Sequence, residues 1–315
     1  MKTVRITRQG FSNHGMHSWM RYFIFVLSKK YNVIVDTEHP DLVIYSNIHY
    51  DANSLDTFTK KLPTSYNDAS KKYLFVSGEV SDFISVLKDN VWSMGYQKED
   101  HPHYLRVPSC VIDVWTLFDE SRLTDSPLGW LTKPRKYLSD KKFCCITQAS
   151  ESSFRAQVFD KLSTYKAVDS SGPWRQNLFG ADTLDKYQWL KEEYIGRNDG
   201  LTYREKIQFF EKYKFNIAIH YTNTDYIIQE KLFHAFFAAT VPLFYGNKYI
   251  LEEGFNPDAF VNIHDSDWFD KVVRLDTSSE MYRNAIQAPI FLGNRLPDYF
   301  DFDYVLSFLE KIVEA

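Results

Sequence analysis

Residues 213–246 read YKFNIAIHYTNTDYIIQEKLFHAFFAATVPLFYG, and the fold follows from how this stretch divides. Residues 215–220 form a short apolar run, which predicts a buried strand. Ile228, Leu232, Phe236 and Ala239 recur at helical spacing, which predicts a helix over 228–239. Residues 241–246 are a second apolar run, closed by Gly246. Strand, loop, helix and strand make a βαβ unit, whose first loop opens at the carboxyl edge of a parallel sheet. Open α/β sheets bind ligands at that edge. Residues 220–225, Glu230 and Lys231 are expected there. A helix N-terminus attracts anions, and a lysine beside it suits a phosphate. Spacing alone leaves a second reading open: a plain βαβ unit whose Glu230 and Lys231 are a solvated helix start.

Outward from this unit, the α/β pattern continues on both sides. In the first half, strands are expected over 3–6, 33–35, 42–45, 73–76 and 105–107, with helices over 18–27, 54–61 and 111–118. Over 121–140 the texture changes: Pro127, Gly129 and Pro134 fall among charged residues with no persistent period, the composition of a domain connection. The second half restarts with a buried strand over 143–147 and a helix over 154–162 that carries Arg155 in its first turn. A short strand over 167–169 follows, then a helix opened by the capping box Thr202-x-x-Glu205. A strand over 260–263, a helix over 266–273 and an amphipathic helix over 304–313 complete the chain. This divides into an N-terminal α/β domain over 1–125, a linker over 126–141, a C-terminal α/β domain over 142–300, and a helix over 301–315 expected to return to the first domain. Two Rossmann-like α/β domains facing a cleft are the arrangement of GT-B glycosyltransferases, and by pattern alone also of periplasmic binding proteins.

A length of 315 residues accommodates two such domains. A net charge of −4 argues against a nucleic-acid partner. Aromatic residues make up 17% of the chain, which fits both large cores and sugar sites and decides between neither. Cys110, Cys144 and Cys145 are odd in number, and two are adjacent in an apolar run, so buried thiols are expected rather than a disulfide framework or a metal site. His101 and His103 flank Pro102 without further ligands nearby in sequence. No apolar run is long enough to span a bilayer, and the first residues lack the apolar core of a signal peptide. The expected location is the cytoplasm, with peripheral membrane contact left open and the oligomeric state unread.

Tyr213-Lys-Phe-Asn-Ile-Ala-Ile, Asp225-Tyr226, Glu230-Lys231-Leu232 and the run from Val241-Pro242 to Gly246 together resemble the signature of glycosyltransferase family 10, the α-1,3/1,4-fucosyltransferases. Phe260-Val-Asn-Ile-His-Asp265 is similar to a further segment of that family. Weaker likenesses to its bacterial soluble members fall in the expected order: Asp41 to Ser46, Ser77-Gly-Glu79, Tyr104-Leu-Arg-Val-Pro108, and the helix with Phe154 and Arg155. The resemblance implies a GT-B fold and inverting transfer of fucose from GDP-fucose to a hydroxyl of a glycan acceptor. It implies no required cofactor and no metal-binding residues; a divalent metal enters at most as a stimulant. Asp265-Ser-Asp267 and Asp301-Phe-Asp303 spell a metal motif without its context.

Carried over residue by residue, the resemblance makes Glu79 the general base. Arg155 and Lys231 become ligands of the donor pyrophosphate, and Glu230 lies near the fucose and ribose. The roles suit the chemistry. An inverting displacement needs a carboxylate to take the acceptor's proton. The leaving diphosphate gains charge and must be met by cations, here a guanidinium fork and a point charge. His220, Tyr221 and Tyr226 are expected to contact the donor, with packing roles as the alternative. Asn13 and His14, in the segment after the first strand, are either an acceptor loop or a turn with a helix cap. The chain also departs from the family pattern. Ile219-His220-Tyr221 stands where the pattern has Phe-Glu-Asn, Gln229 replaces a threonine, and Asp225-Tyr226 lies one residue further from Glu230-Lys231. These departures keep two alternatives open: a different nucleotide-deoxysugar donor, or a nucleotide-sugar-binding protein without transfer.

Overall fold

The computed structural model describes residues 1–9, 15–46, 68–76, 84, 87–121, 127–148, 152–172, 174–175, 177–178, 203–220 and 225–315. Asn13, His14, Glu79, Tyr221 and the helix expected over 54–61 lie outside them. The chain forms two compact units. One comprises Met1–Asp119, Tyr226–Ile228 and Pro297–Ala315; the other comprises Glu120–Asp225 and Gln229–Leu296.

The first unit holds a six-stranded sheet, β1 (Thr3–Gln9), β2 (Asn32–Val35), β3 (Leu42–Ser46), β4 (Lys72–Val76), β5 (Val91–Gly95) and β6 (Tyr104–Arg106). The order is β2-β1-β3-β4-β5-β6, and each adjacent pair is parallel. Strand β4 is a near-continuous apolar run after Lys72, and β4 and β5 are buried almost along their length, as expected where both faces of a parallel sheet are covered. Sequence reading does not anticipate β5: Ser93 and Gly95 break its apolar run, and its burial comes from the sheet around it. Helix α1 (Gly15–Leu27) buries Tyr22, Phe23, Val26 and Leu27. Helix α2 (Cys110–Ser121) buries Val111, Ile112, Val114 and Trp115. The last helix of the chain, Phe302–Glu314, packs on α1 through Phe302, whose ring lies 5.2 Å from Phe25 and 6.2 Å from Tyr22. Lys30 pairs with Glu310 at 2.7 Å, and Tyr31 donates to Glu314 at 2.8 Å.

The second unit holds five parallel strands, β7 (Lys142–Ile146), β8 (Val168–Ser170), β9 (Tyr213–Ile219), β10 (Val241–Tyr245) and β11 (Val261–Asn262). Their order is β11-β10-β9-β7-β8. Its helices are α3 (Pro127–Leu131), α4 (Ser153–Ser163), α5 (Tyr203–Phe210), α6 (Glu230–Phe237), α7 (Trp268–Thr277) and α8 (Ser279–Gln287), and α9 is the Phe302–Glu314 helix of the first unit. The core joins Ile146, Phe215, Ile217, Leu243, Val261 and Val272. Helix α6 starts at Glu230, two residues later than the apolar spacing predicts, and Ile228 is buried outside it. Tyr226–Ile228 group with the first unit, inside the range read as one domain over 142–300. The physical reason is local: Arg106 of β6 donates to the Tyr226 carbonyl at 3.4 Å.

Two cations anchor the stretch 127–141 in the second unit. The buried Arg135 guanidinium donates to the carbonyls of Thr240 at 3.1 Å and Ala285 at 2.6 Å, and lies 4.9 Å from the Phe236 ring. Lys141 Nζ donates to the carbonyls of Ala238 and Ala239 at 3.3 and 2.7 Å, so a cation closes the C-terminal end of α6. Burial lowers the Lys141 ammonium to about 8. A third cluster centres on Asp276, whose side chain is 2% exposed. It accepts from Lys214 at 2.8 Å, from Tyr165 at 3.0 Å, and from Lys166.

Asp276 predicts an acid-labile contribution to stability. Burial raises its carboxyl, but hydrogen bonds from Lys166 and Lys214 outweigh this and hold it below the usual range. A carboxylate lowered in the folded state stabilises above its unfolded pKa, about 4, and that stability is lost as pH falls below it. Asp276→Asn is expected to cost about 3 kcal/mol at pH 7, the lower end for a broken buried pair because Lys166 is half exposed. Urea unfolding of the variant should show a smaller fall between pH 5 and 3 than wild type, and equal falls would refute the assignment.

Gly172 predicts a steric limit. A Cβ there would lie 2.2 Å from the Gln148 carbonyl oxygen and 2.6 Å from its nitrogen, both backbone atoms. Gly172→Ala should destabilise by about 1–3 kcal/mol in denaturant unfolding, because neither strand end can yield freely.

Candidate functional site

In chain order, the second sheet runs second, first, third, fourth, fifth strand. Connections from β7 to β8 and from β9 to β10 therefore proceed in opposite directions across the sheet. The crevice beyond the carboxyl ends of β7 and β9 is the switch point where such sheets take ligands. Four of the sequence-predicted residues lie at this edge.

Arg155 enters from the β7 side. Ser152 caps α4, its hydroxyl accepting from the Arg155 amide at 3.3 Å, which sets Arg155 in the first turn. The side chain is buried, and one guanidinium nitrogen donates to the carbonyl of Ile219, the last residue of β9, at 3.4 Å. A cation in a first turn opposes the helix dipole, and burial lowers its pKa. An arriving anion would relieve both effects.

His220 follows Ile219 directly. Its amide donates to the Tyr245 carbonyl at 2.8 Å, extending the β9–β10 ladder by one residue, and its side chain is buried. Glu230 and Lys231 open α6. Lys231 Nζ donates to Glu230 Oε1 at 2.9 Å and to Gln229 Oε1 at 3.4 Å, and both charged side chains are about a quarter exposed, 28% for lysine and 26% for glutamate. Burial by itself raises the Glu230 carboxyl, but Lys231, His234 and Lys206 overcome it and hold the group far below the usual range. Glu230 is therefore a firm carboxylate, able to accept hydroxyl hydrogen bonds and unsuited to donate a proton near neutral pH.

Tyr226 groups with the first unit and adopts a left-handed backbone with φ of 65°. The expected roles of Glu79, Tyr221, Asn13 and His14 fall outside the described residues. The nearest described position to Glu79 is Val76, the end of β4.

The edge also carries residues that sequence reading did not select. Phe154, beside Arg155, packs on Tyr245 with ring centroids 4.0 Å apart, and Tyr245 stacks on His264 at 4.3 Å. His264 is tied to the Gly246 carbonyl at 3.0 Å. On the β8 side, the hydroxyls of Thr147 and Ser171 share a 2.6 Å hydrogen bond. Position alone could have suggested Tyr245, His264, Thr147 and Ser171, since each lies within two residues of a strand end, whereas Phe154 lies in the first turn of α4. Among the described residues, no group of three or more His, Cys, Asp or Glu could hold a metal ion. No helix of the described residues is long and apolar enough to cross a membrane.

Residues 139–285 match the family model for glycosyltransferase family 10 (fucosyltransferase) C-term. The alpha-(1,3)-fucosyltransferase FucT of Helicobacter pylori is 25% identical over 312 residues, covering 92% of this chain. This chain spans 61% of that relative's length. Among solved structures, an alpha1,3-fucosyltransferase with GDP-fucose aligns with a TM-score of 0.71 at 20% identity, covering 100% of this chain and 92% of that chain. An alpha1,3-fucosyltransferase with GDP aligns with a TM-score of 0.69 at 18% identity, covering 100% and 91%. The likeness extends across both sheets, and the fold is α/β of GT-B type. The stretch that matches this family model, residues 139–285, holds Arg155, His220, Glu230 and Lys231.

Proposed function

We propose that this chain is an inverting, metal-independent glycosyltransferase that moves fucose from GDP-fucose to a hydroxyl of a glycan acceptor. The observation that carries the reading is the pair of cations at one switch point: Arg155 reaches the end of β9 from α4, and Lys231 opens the helix that follows β9. GDP-fucose is the ligand of a solved structure with the same fold.

The reaction is an in-line displacement. The acceptor oxygen attacks the anomeric carbon as that carbon's bond to the β-phosphate oxygen breaks, and GDP departs with the bonding pair. Glu79 takes the acceptor's proton. Arg155 and Lys231 meet the charge that develops on the leaving diphosphate, the role a metal ion fills elsewhere. Lys231 exchanges part of its contact with Glu230 for a phosphate oxygen, and Glu230 remains ionised to accept from a sugar or ribose hydroxyl. His220 and Tyr221, the two residues after Ile219 in sequence, shape donor selection, and Tyr226 contacts the donor. Asn13 and His14 serve the acceptor. The departure at Ile219-His220-Tyr221 favours a second reading with the same chemistry and a different nucleotide-deoxysugar.

A thermal-shift panel of GDP, UDP, dTDP and CDP and their sugars separates these readings. A preferential response to GDP and GDP-fucose is expected; a stronger response to another nucleotide would replace the donor. Lys231→Ala should weaken GDP binding about tenfold or more, since it removes a partly buried charge partner. Unchanged affinity would remove Lys231 from the phosphate site.

Glu79→Ala should leave GDP affinity within about twofold and lower transfer by about 10²–10⁴-fold, the usual range for a lost general base. Transfer at wild-type rate would reject Glu79 as the base. Donor binding by wild type with no transfer to any acceptor would favour a binding protein.

A further inference from the structure

Gln148 lies two residues beyond β7, on the carboxyl edge of the second sheet. The residue is 8% exposed, yet no hydrogen bond reaches its carboxamide from among the described residues. The carboxamide is not wholly enclosed, so the little of Gln148 that is exposed includes its polar end. A neutral amide both donates and accepts, and native folds seldom leave both functions unused on a residue so deeply buried.

The backbone beneath this side chain is firmly held. The Ser171 amide donates to the Ile146 carbonyl and the Trp174 amide to the Gln148 carbonyl, each at 3.2 Å. Ser170 Oγ donates to the Trp174 carbonyl at 2.7 Å, and the Ser170 amide donates to Asn177 at 2.8 Å. Gly172 lies so close that a Cβ there would collide with the Gln148 backbone. The loop after β8 is thus laced to the residues after β7, and Gln148 is presented from a rigid frame. In the same frame, Thr147 and Ser171 are 8% and 9% exposed and share their 2.6 Å hydrogen bond. That bond uses one hydroxyl hydrogen and leaves the other to spare.

The proposed donor has three polar regions, and the edge of the second sheet carries a group suited to each. Arg155 and Lys231 bring cations for the diphosphate, and Glu230 brings a carboxylate for sugar or ribose hydroxyls. The remaining region is the base. Guanine sets a donor, N1–H, beside an acceptor, O6. A cation or a carboxylate matches half of that pair, whereas a carboxamide matches both. Four other carboxamides near these strand ends, Asn177, Gln229, Asn247 and Asn262, each accept a hydrogen bond from within the unit. We infer that Gln148 is a specificity-determining residue of the donor site, its carboxamide accepting from N1–H and donating to O6 of the guanine base. The inference rests on the proposed GDP-fucose donor.

The test uses the full chain with Gln148→Met, which keeps the length of the side chain and removes both hydrogen-bonding functions. The variant should bind GDP about tenfold more weakly, because the base edge is left unpaired. Its KM for GDP-fucose should rise by a similar factor, with kcat within about threefold. O6-methyl-GDP, which lacks the N1–H, is the matched probe. Wild type should bind it about tenfold more weakly than GDP, and Gln148→Met should bind the two within about twofold of each other. Inorganic pyrophosphate, which has no base, should bind both proteins alike. The urea midpoint of the unliganded variant should not fall, since an unpartnered amide gives way to an apolar group of similar shape. An equal preference for GDP over O6-methyl-GDP in both proteins would overturn the inference and leave the donor reading intact. That result together with a lower urea midpoint would make Gln148 a packing residue. Failure of wild type to bind GDP would remove the donor reading, and the guanine pairing with it.

Discussion

The parallel pairing of β7 with β9 is the constraint on which the second unit depends. Cys144 is registered with Phe215 and Cys145 with Asn216, so two strands far apart in sequence lie side by side at the centre of the sheet. Right-handed crossovers in opposite directions from this pair place α4 and α6 on opposite faces. Their carboxyl ends lie along one edge of the sheet. Backbone carbonyls and amides there need partners, and Arg155, His220 and Tyr245 provide them at this edge. The same strand order recurs around β1 and β3 of the first unit, where Tyr45 donates to Gln9 across the strand ends.

Charge is distributed differently at the ends of these elements. Asp276 gathers Lys166, Lys214 and Tyr165, and all the charges in that cluster are answered from within the unit. Helix α6 shows a second arrangement. Beyond its C-terminal end, Ala239 is left-handed with φ of 47°, and its carbonyl accepts from Lys141. Before its N-terminal end, left-handed Tyr226 presents its carbonyl to Arg106.

Much of this was legible in the sequence. Apolar runs located β3, β4, β7, β9 and β10, because strands buried on both faces have little choice of residue. The motif residues of α6 identified Glu230 and Lys231 before any coordinate. Strand β5 was not legible, since Ser93 and Gly95 gain their burial from neighbouring strands rather than from their own hydrophobicity. Helix α8 was missed too, its only apolar positions being Met281, Tyr282, Ala285 and Ile286 among polar residues. The true start of α6 was hidden because Ile227 and Ile228 are apolar for a reason unrelated to the helix: they are buried beside Tyr226 in the first unit.

By itself, the sequence determined the alternation of strand and helix and the identity of the charged groups at the second carboxyl edge. Those properties depend on residue type and local spacing, which a chain carries whether folded or not. The tertiary structure alone decided the strand order that makes β7 and β9 neighbours, the reach of Arg155 to the Ile219 carbonyl, and the assignment of Tyr226–Ile228 to the first unit. The contacts involved span sequence separations of 64 residues for Arg155 with Ile219 and 120 for Arg106 with Tyr226, and no local pattern encodes partners that distant.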